Sequence, residues 1–124
     1  MAFSFENLTV YQKSLTWVEQ SQGIADYIKK HCPYSTIDQL SRASLSIPLN
    51  IAEANGRWHK GDKRQFFWVA KGSVFECVAL VQVLHKTKKI DEETHSKSYA
   101  LLEELAKMLS GLILSVENLR SEVA

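Results

Sequence analysis

Apolar residues recur at steps of three and four through almost the whole chain, in four long runs broken only by short polar turns. That spacing places them along one face of a helix. No stretch alternates with the period of two that a half-buried strand needs. The first run covers about residues 8–31. It carries Leu8, Tyr11, Leu15, Val18, Ala25 and Ile28, with Gln22 as its polar interruption and Asn7 placed to cap it. The second covers about 35–55, with Ile37, Leu40, Ser44, Ile47, Ile51 and Ala54, and with Ser35 and Asp38 in the positions of a capping box. Pro48 lies inside it. The stripe keeps its phase across the proline, which predicts a kink rather than a chain reversal.

The third run covers about 63–85, after Asp62 as cap. Its main line is Phe66, Ala70, Ser73, Cys77, Leu80 and Leu84, and a second line is Phe67, Val74, Val78 and Val81. The fourth covers about 92–119, behind Asp91, with Glu92 and Glu93 where acids suit the helix dipole. Leu102, Leu105, Leu109, Leu112, Val116 and Leu119 form its stripe, and the polar tail beyond is expected to fray. Short connections between long amphipathic helices force antiparallel neighbours. The expected fold is therefore an all-α, up-down-up-down four-helix bundle over residues 1–124. One buried stripe per helix is enough for such a bundle. The third helix has more, and Phe67, Trp68 and Phe75 are expected to form an apolar face for another subunit.

A chain of 124 residues can bury a core without metal or disulfide staples. Its net charge of +1 gives no whole-molecule attraction to nucleic acid, so any such contact needs local patches. Cys32 and Cys77 are far apart, and the N-terminus has no signal-peptide pattern, so a cytoplasmic protein is expected. No uninterrupted apolar stretch is long enough for a bilayer, and no membrane association is expected.

Catalytic constellations are missing. There is no nucleophile elbow, no phosphate loop, and no histidine partner for either cysteine. Arg42, Arg57, Arg64 and Arg120 have no histidine four to seven residues downstream, the spacing of some helical ribonucleases. His31, His59, His85 and His95 are scattered with no i, i+4 pair and are read as lacking any Glu-x-x-His motif, whereas a di-metal carboxylate bundle would need paired Glu-x-x-His motifs on facing helices. They are expected to be exposed near helix ends, with no metal site and no cofactor. A pocket for a small molecule would have to use Gln22, Ser44 and Ser73, and none is expected.

Two polar patterns remain. Gln39, Arg42, Ser46, Asn50, Glu53 and Arg57 form a stripe along the second helix, with Glu53 and Arg57 as an i, i+4 pair. It is either a hydrogen-bonded flank, with Arg42 paired to Glu76 of the third helix, or a polar interface. Basic residues gather at the bundle ends. Lys29, Lys30, Lys86, Lys88 and Lys89 share one end, while Arg57, Lys60, Lys63 and Arg64 share the other with Trp58. Cations with an aromatic among them suit RNA. Lysines at helix C-termini also complement the dipole with no ligand at all.

The run Gln39-Leu40-Ser41-Arg42-Ala43, then Ser46-Ile47-Pro48-Leu49-Asn50-Ile51-Ala52-Glu53, then Gly56-Arg57, resembles the 23S rRNA intervening-sequence protein family. So do Phe66-Phe67-x-x-Ala70-x-Gly72-Ser73-x-x-Glu76 and the opening Phe5-Glu6-Asn7-Leu8-Thr9-Val10-Tyr11-Gln12-Lys13. The resemblance implies a small four-helix bundle. A related branch, the accessory variability proteins of diversity-generating retroelements, implies a ring-like homo-oligomer, a pentamer, with nucleic acid and a reverse transcriptase as partners. Two features depart from those patterns. Ala54 stands where the family often has glycine, and this chain lacks the strong basicity of the retroelement branch. The expected function is that of a non-enzymatic oligomeric scaffold or accessory factor that contacts structured RNA or a ribonucleoprotein. The alternative is a protein-protein assembly module that binds no nucleic acid.

Overall fold

A short 3-10 turn, Ser4–Asn7, leads into four helices: α1 (Thr9–Ile28), α2 (Tyr34–Asn55), α3 (Lys60–Lys86) and α4 (Glu92–Val123). The computed structural model describes residues 3–123, and side chains for residues 3–118. No strand occurs among the described residues. Paired residues rise along one helix as they fall along the next. Gln39 meets Glu76, Ser46 meets Ser73, and Arg57 lies over Phe66, so α2 and α3 run antiparallel. Arg64 with Glu117 and His85 with Glu92 give the same sense for α3 with α4, and so do Val10 near Met108 and Leu112 and Ile24 near Ile90 and Thr94 for α1 with α4.

The core stripes of α2 and α3 follow from the spacing. Leu40, Ser44, Ile47, Ile51 and Ala54 are buried on α2, and Phe67, Ala70, Val74, Cys77, Val81 and Leu84 on α3. Helix α2 continues through Pro48, which is itself buried. On α4 the buried line is Ser98, Leu102, Leu105, Leu109, Ile113 and Val116. Leu112 is half-buried beside it, Leu119 lies outside the described side chains, and the helix runs on to Val123.

Helix α1 departs from expectation. Ala25 and Ile28 of the expected stripe are buried, with Ile24 beside them, but before them the buried line is Val10, Ser14, Trp17 and Ser21, while Leu15 is exposed and Tyr11 and Val18 are half-buried. The apolar spacing selected the line one residue away because two serines interrupt the true one. Their burial costs little, since each hydroxyl donates to a carbonyl of its own helix: Ser14 Oγ to Tyr11 at 2.6 Å and Ser21 Oγ to Val18 at 2.8 Å. The small side chains leave room for the fully buried Trp17 between them.

Three of the expected caps are absent. Leu8, Pro33 and His59 stand at the N-cap positions of α1, α2 and α3, with no side-chain cap bond. Asp91 does cap α4. Its Oδ1 accepts the Thr94 amide at 2.8 Å, and the bonds from Thr94 hold its carboxyl below the usual range. The α3–α4 turn is closely specified. Lys88 takes a left-handed conformation (φ 62°), the Lys89 and Thr87 amides return to the Leu84 and Val83 carbonyls, and Ile90 is buried beneath.

Candidate functional site

The groove between α2 and α3 holds most of the polar stripe. Ser73 Oγ donates to Ser46 Oγ at 2.8 Å, and Asn50 Nδ2 donates to both the Ser46 carbonyl (2.8 Å) and its hydroxyl (3.0 Å). One helical turn away, Gln39 Nε2 reaches Glu76 at 3.4 Å. Arg42 does not pair with Glu76; it binds Asp38 on its own helix at 2.7 Å and is otherwise exposed. Glu53 pairs with Arg57. The stripe thus bonds within the subunit and fixes the register of α2 against α3. Of the other residues that a small-molecule pocket would use, Ser44 is buried beside Cys77 at 3.7 Å and Gln22 faces solvent.

The outer surface of α3 is apolar: Trp68 (46% exposed) and Phe75 (60%) project from it, and Phe75 borders a groove with Val78 and with Tyr99, Leu102 and Ala106 of α4. Leu45 and Leu49 (61%) project separately from α2. The ammonium of Lys71 lies over both aromatic rings, 4.9 Å from the centroid of Trp68 and 5.7 Å from that of Phe75. Phe67 does not belong to this face. It is 3% exposed, because its position falls on the core line with Ala70 and Val74. Between the two aromatics sits Gly72, where a Cβ would meet nothing within 4 Å. Contrary to expectation, α3 as a whole is long and apolar enough by composition to cross a bilayer, although Lys71 and Glu76 interrupt it and its inner line packs in the bundle.

The two basic ends differ. At the α2–α3 turn, Arg57 is engaged by Glu53 and the Phe66 ring (4.6 Å), and Arg64 by Glu117 at 3.5 Å. Lys60 and Lys63 are half-buried there, and Trp58 is almost fully exposed. At the opposite end, Lys29, Lys30, Lys86, Lys88 and Lys89 have no ion pair among the described residues, and all but Lys89 are exposed. A cleft of about 410 Å³ opens at this end between α1 and α4, lined by Tyr27, Ile90, Asp91 and Glu93 among others.

The same end gathers His85, Glu92 and His95, whose candidate ligand atoms lie within 4.8 Å of one another. His85 Nε2 is 2.9 Å from Glu92 Oε2, and the two imidazoles stack with centroids 4.2 Å apart. Scattered, exposed histidines were the expectation; the α3–α4 turn instead folds two of them face to face, both half-buried. The sequence carries a signal for it, the Glu-x-x-His step Glu92-Glu93-Thr94-His95, which a reading of the histidines as lacking that motif overlooks. Cys77 offers no nucleophile, since burial pushes its thiol pKa up. Cys32 is a free, half-buried thiol.

The family model described as the 23S rRNA-intervening sequence protein matches residues 6–111. The chain belongs to that family. Among solved structures, a protein of unknown function from the S23 ribosomal protein family of Bacteroides thetaiotaomicron superposes with a TM-score of 0.81 at 22% identity, over 85% of this chain and 98% of the other. At that identity the likeness speaks to the fold. No curated protein matches the chain. The matched span takes in the α2–α3 polar groove, the Trp68–Phe75 face and the His85, Glu92 and His95 cluster of this 23S rRNA-intervening sequence protein.

Proposed function

We propose that this 23S rRNA-intervening sequence protein acts without catalysis, as a cytoplasmic homo-oligomeric scaffold that contacts structured RNA or a ribonucleoprotein. The observation that carries the reading is the exposed α3 face of Trp68 and Phe75 with the groove it borders against α4, while the polar groups between α2 and α3 are already satisfied inside the subunit. A second copy is the partner that the resemblance implies for such a face, in a pentameric ring. Gly72 supports this. A solvent-facing glycine inside a helix costs roughly 1 kcal/mol relative to alanine, and close approach of a neighbouring backbone offsets that cost. Gly72→Ala is therefore expected to stabilise the isolated subunit by about 0.5–1 kcal/mol and to weaken self-association. Denaturation at high dilution and sedimentation at high concentration separate the two effects.

The RNA-contacting surface in this reading is the end with Lys29, Lys30, Lys86, Lys88 and Lys89, because those ammoniums have no internal partner among the described residues. The arginines of the other end are engaged within the fold, and with Lys60 and Lys63 they make the lesser surface. Titration of a labelled, structured rRNA fragment is expected to give binding that weakens log-linearly with salt. Changing Lys86, Lys88 and Lys89 to Glu should lower both affinity and salt slope. The near-neutral charge of the chain favours the alternative, an assembly module with no nucleic acid. Absence of binding at low salt, with the oligomer intact, would decide for it. A reverse-transcriptase-type partner belongs to the RNA reading, and the same lysine variant is expected to lose it.

A further inference from the structure

We infer that His85, Glu92 and His95 form a binding site for a divalent transition-metal ion of the zinc class. This goes beyond the scaffold reading and stands independently of it. Two imidazole nitrogens and one carboxylate oxygen form a donor set that zinc accepts, with a fourth position left for water or a partner group. The candidate ligand atoms lie within 4.8 Å of one another. Tetrahedral ligands at about 2.1 Å from an ion stand about 3.4 Å apart. Closing around one needs the stacked imidazoles to turn so that their in-plane lone pairs converge, and Glu92, 74% exposed and bonded to Ser96 at 3.1 Å, to follow.

The backbone beneath the cluster is well determined. His85 sits in the last turn of α3, and Glu92 and His95 in the first turn of α4. Between them the Lys89 amide returns to the Leu84 carbonyl at 2.8 Å, Ile90 is buried, and Asp91 caps α4. A site on two helices joined this tightly pre-positions its ligands. Asp91 and Glu93 flank Glu92 and offset the charge of Lys86, Lys88 and Lys89.

A second observation bears on His95 itself. Its Nδ1 is buried and has no hydrogen-bond partner. Buried polar atoms are almost always satisfied, and an exception asks for a missing partner. A cation taken up by this imidazole is a partner of the right kind. The His85–Glu92 contact at 2.9 Å is what such a site shows with a proton in place of the metal.

The test is titration of Co²⁺ and Zn²⁺ into tag-free, chelator-treated full chain, against a competing chromophoric chelator. One ion per chain is expected, with Co²⁺ giving the visible absorption of a four- or five-coordinate site. His95→Ala and His85→Ala should each weaken binding by at least about tenfold, the scale of losing a ligand or its support. Glu92→Gln, at an exposed position, should keep the fold by circular dichroism and still bind more weakly. Changing the exposed His31 and His59 to Ala should leave binding unchanged. Binding no tighter than that of a His85→Ala/His95→Ala variant, or binding that follows His31 and His59, would overturn the site and leave a hydrogen-bonded histidine stack.

Discussion

Trp17→Ala is expected to cost about 3–5 kcal/mol of folding stability, the range for emptying a fully buried aromatic position. Trp17 has no exposed surface and stands between Ser14 and Ser21, whose small side chains cannot move in to fill the void. Its indole nitrogen makes no hydrogen bond of good geometry and has the buried Cys77 thiol as a polar neighbour, so the loss is mainly one of packing. Two comparisons isolate that cause. Trp17→Phe removes the unsatisfied N–H and much less volume, and should cost well under half as much. Leu15→Ala, on the line that spacing alone would have chosen for the core, should cost no more than about 1 kcal/mol, because Leu15 is 45% exposed. Urea denaturation of the three variants checks the order. Equal losses at positions 15 and 17 would mean that the core face of α1 is wrongly placed.

The second large effect is on assembly. Trp68→Glu with Phe75→Glu places two carboxylates where two aromatic side chains stand exposed over Lys71. Neither ring belongs to the core of the subunit, so the helical circular dichroism should be retained. Truncating an aromatic anchor at the centre of an interface costs on the order of 2 kcal/mol or more, so the pair should weaken self-association by at least about a hundredfold. Sedimentation over a concentration series reads this directly. Phe67→Glu is the contrasting variant. It strikes a side chain that is 3% exposed, and it should unfold the bundle rather than dissociate it.

The helices were legible because their spacing is nearly unbroken. Helix α2 buries almost the line that its apolar residues mark, while the core of α3 runs between its two expected lines, burying Ala70, Cys77 and Leu84 of one and Phe67, Val74 and Val81 of the other and leaving Phe66, Ser73, Val78 and Leu80 half-buried. Helix α1 shows where such reading fails. A buried serine that bonds to its own helix costs little, so Ser14 and Ser21 occupy core positions that a count of apolar residues passes over. Phe67 and Trp68 show a related limit. They are neighbours of similar character, and only the phase of the whole helix puts one inside and the other out. Arg42 was within reach of two acids, Asp38 on its own helix and Glu76 across the groove, and the local one holds it. The histidine cluster depends on tertiary structure. His85 and His95 are brought together by a turn whose left-handed Lys88 no glycine announces.

The central claim, that the outer face of α3 is built for self-assembly, is tested most directly by the solution mass of the unmodified protein. Native mass spectrometry with light scattering at tens of micromolar is expected to show a closed homo-oligomer. Five copies of the 14.1 kDa chain give about 70 kDa (5 × 14.1). A species of 14.1 kDa that persists across the concentration range would contradict the account. The exposed aromatics would then have to be explained by a different protein partner.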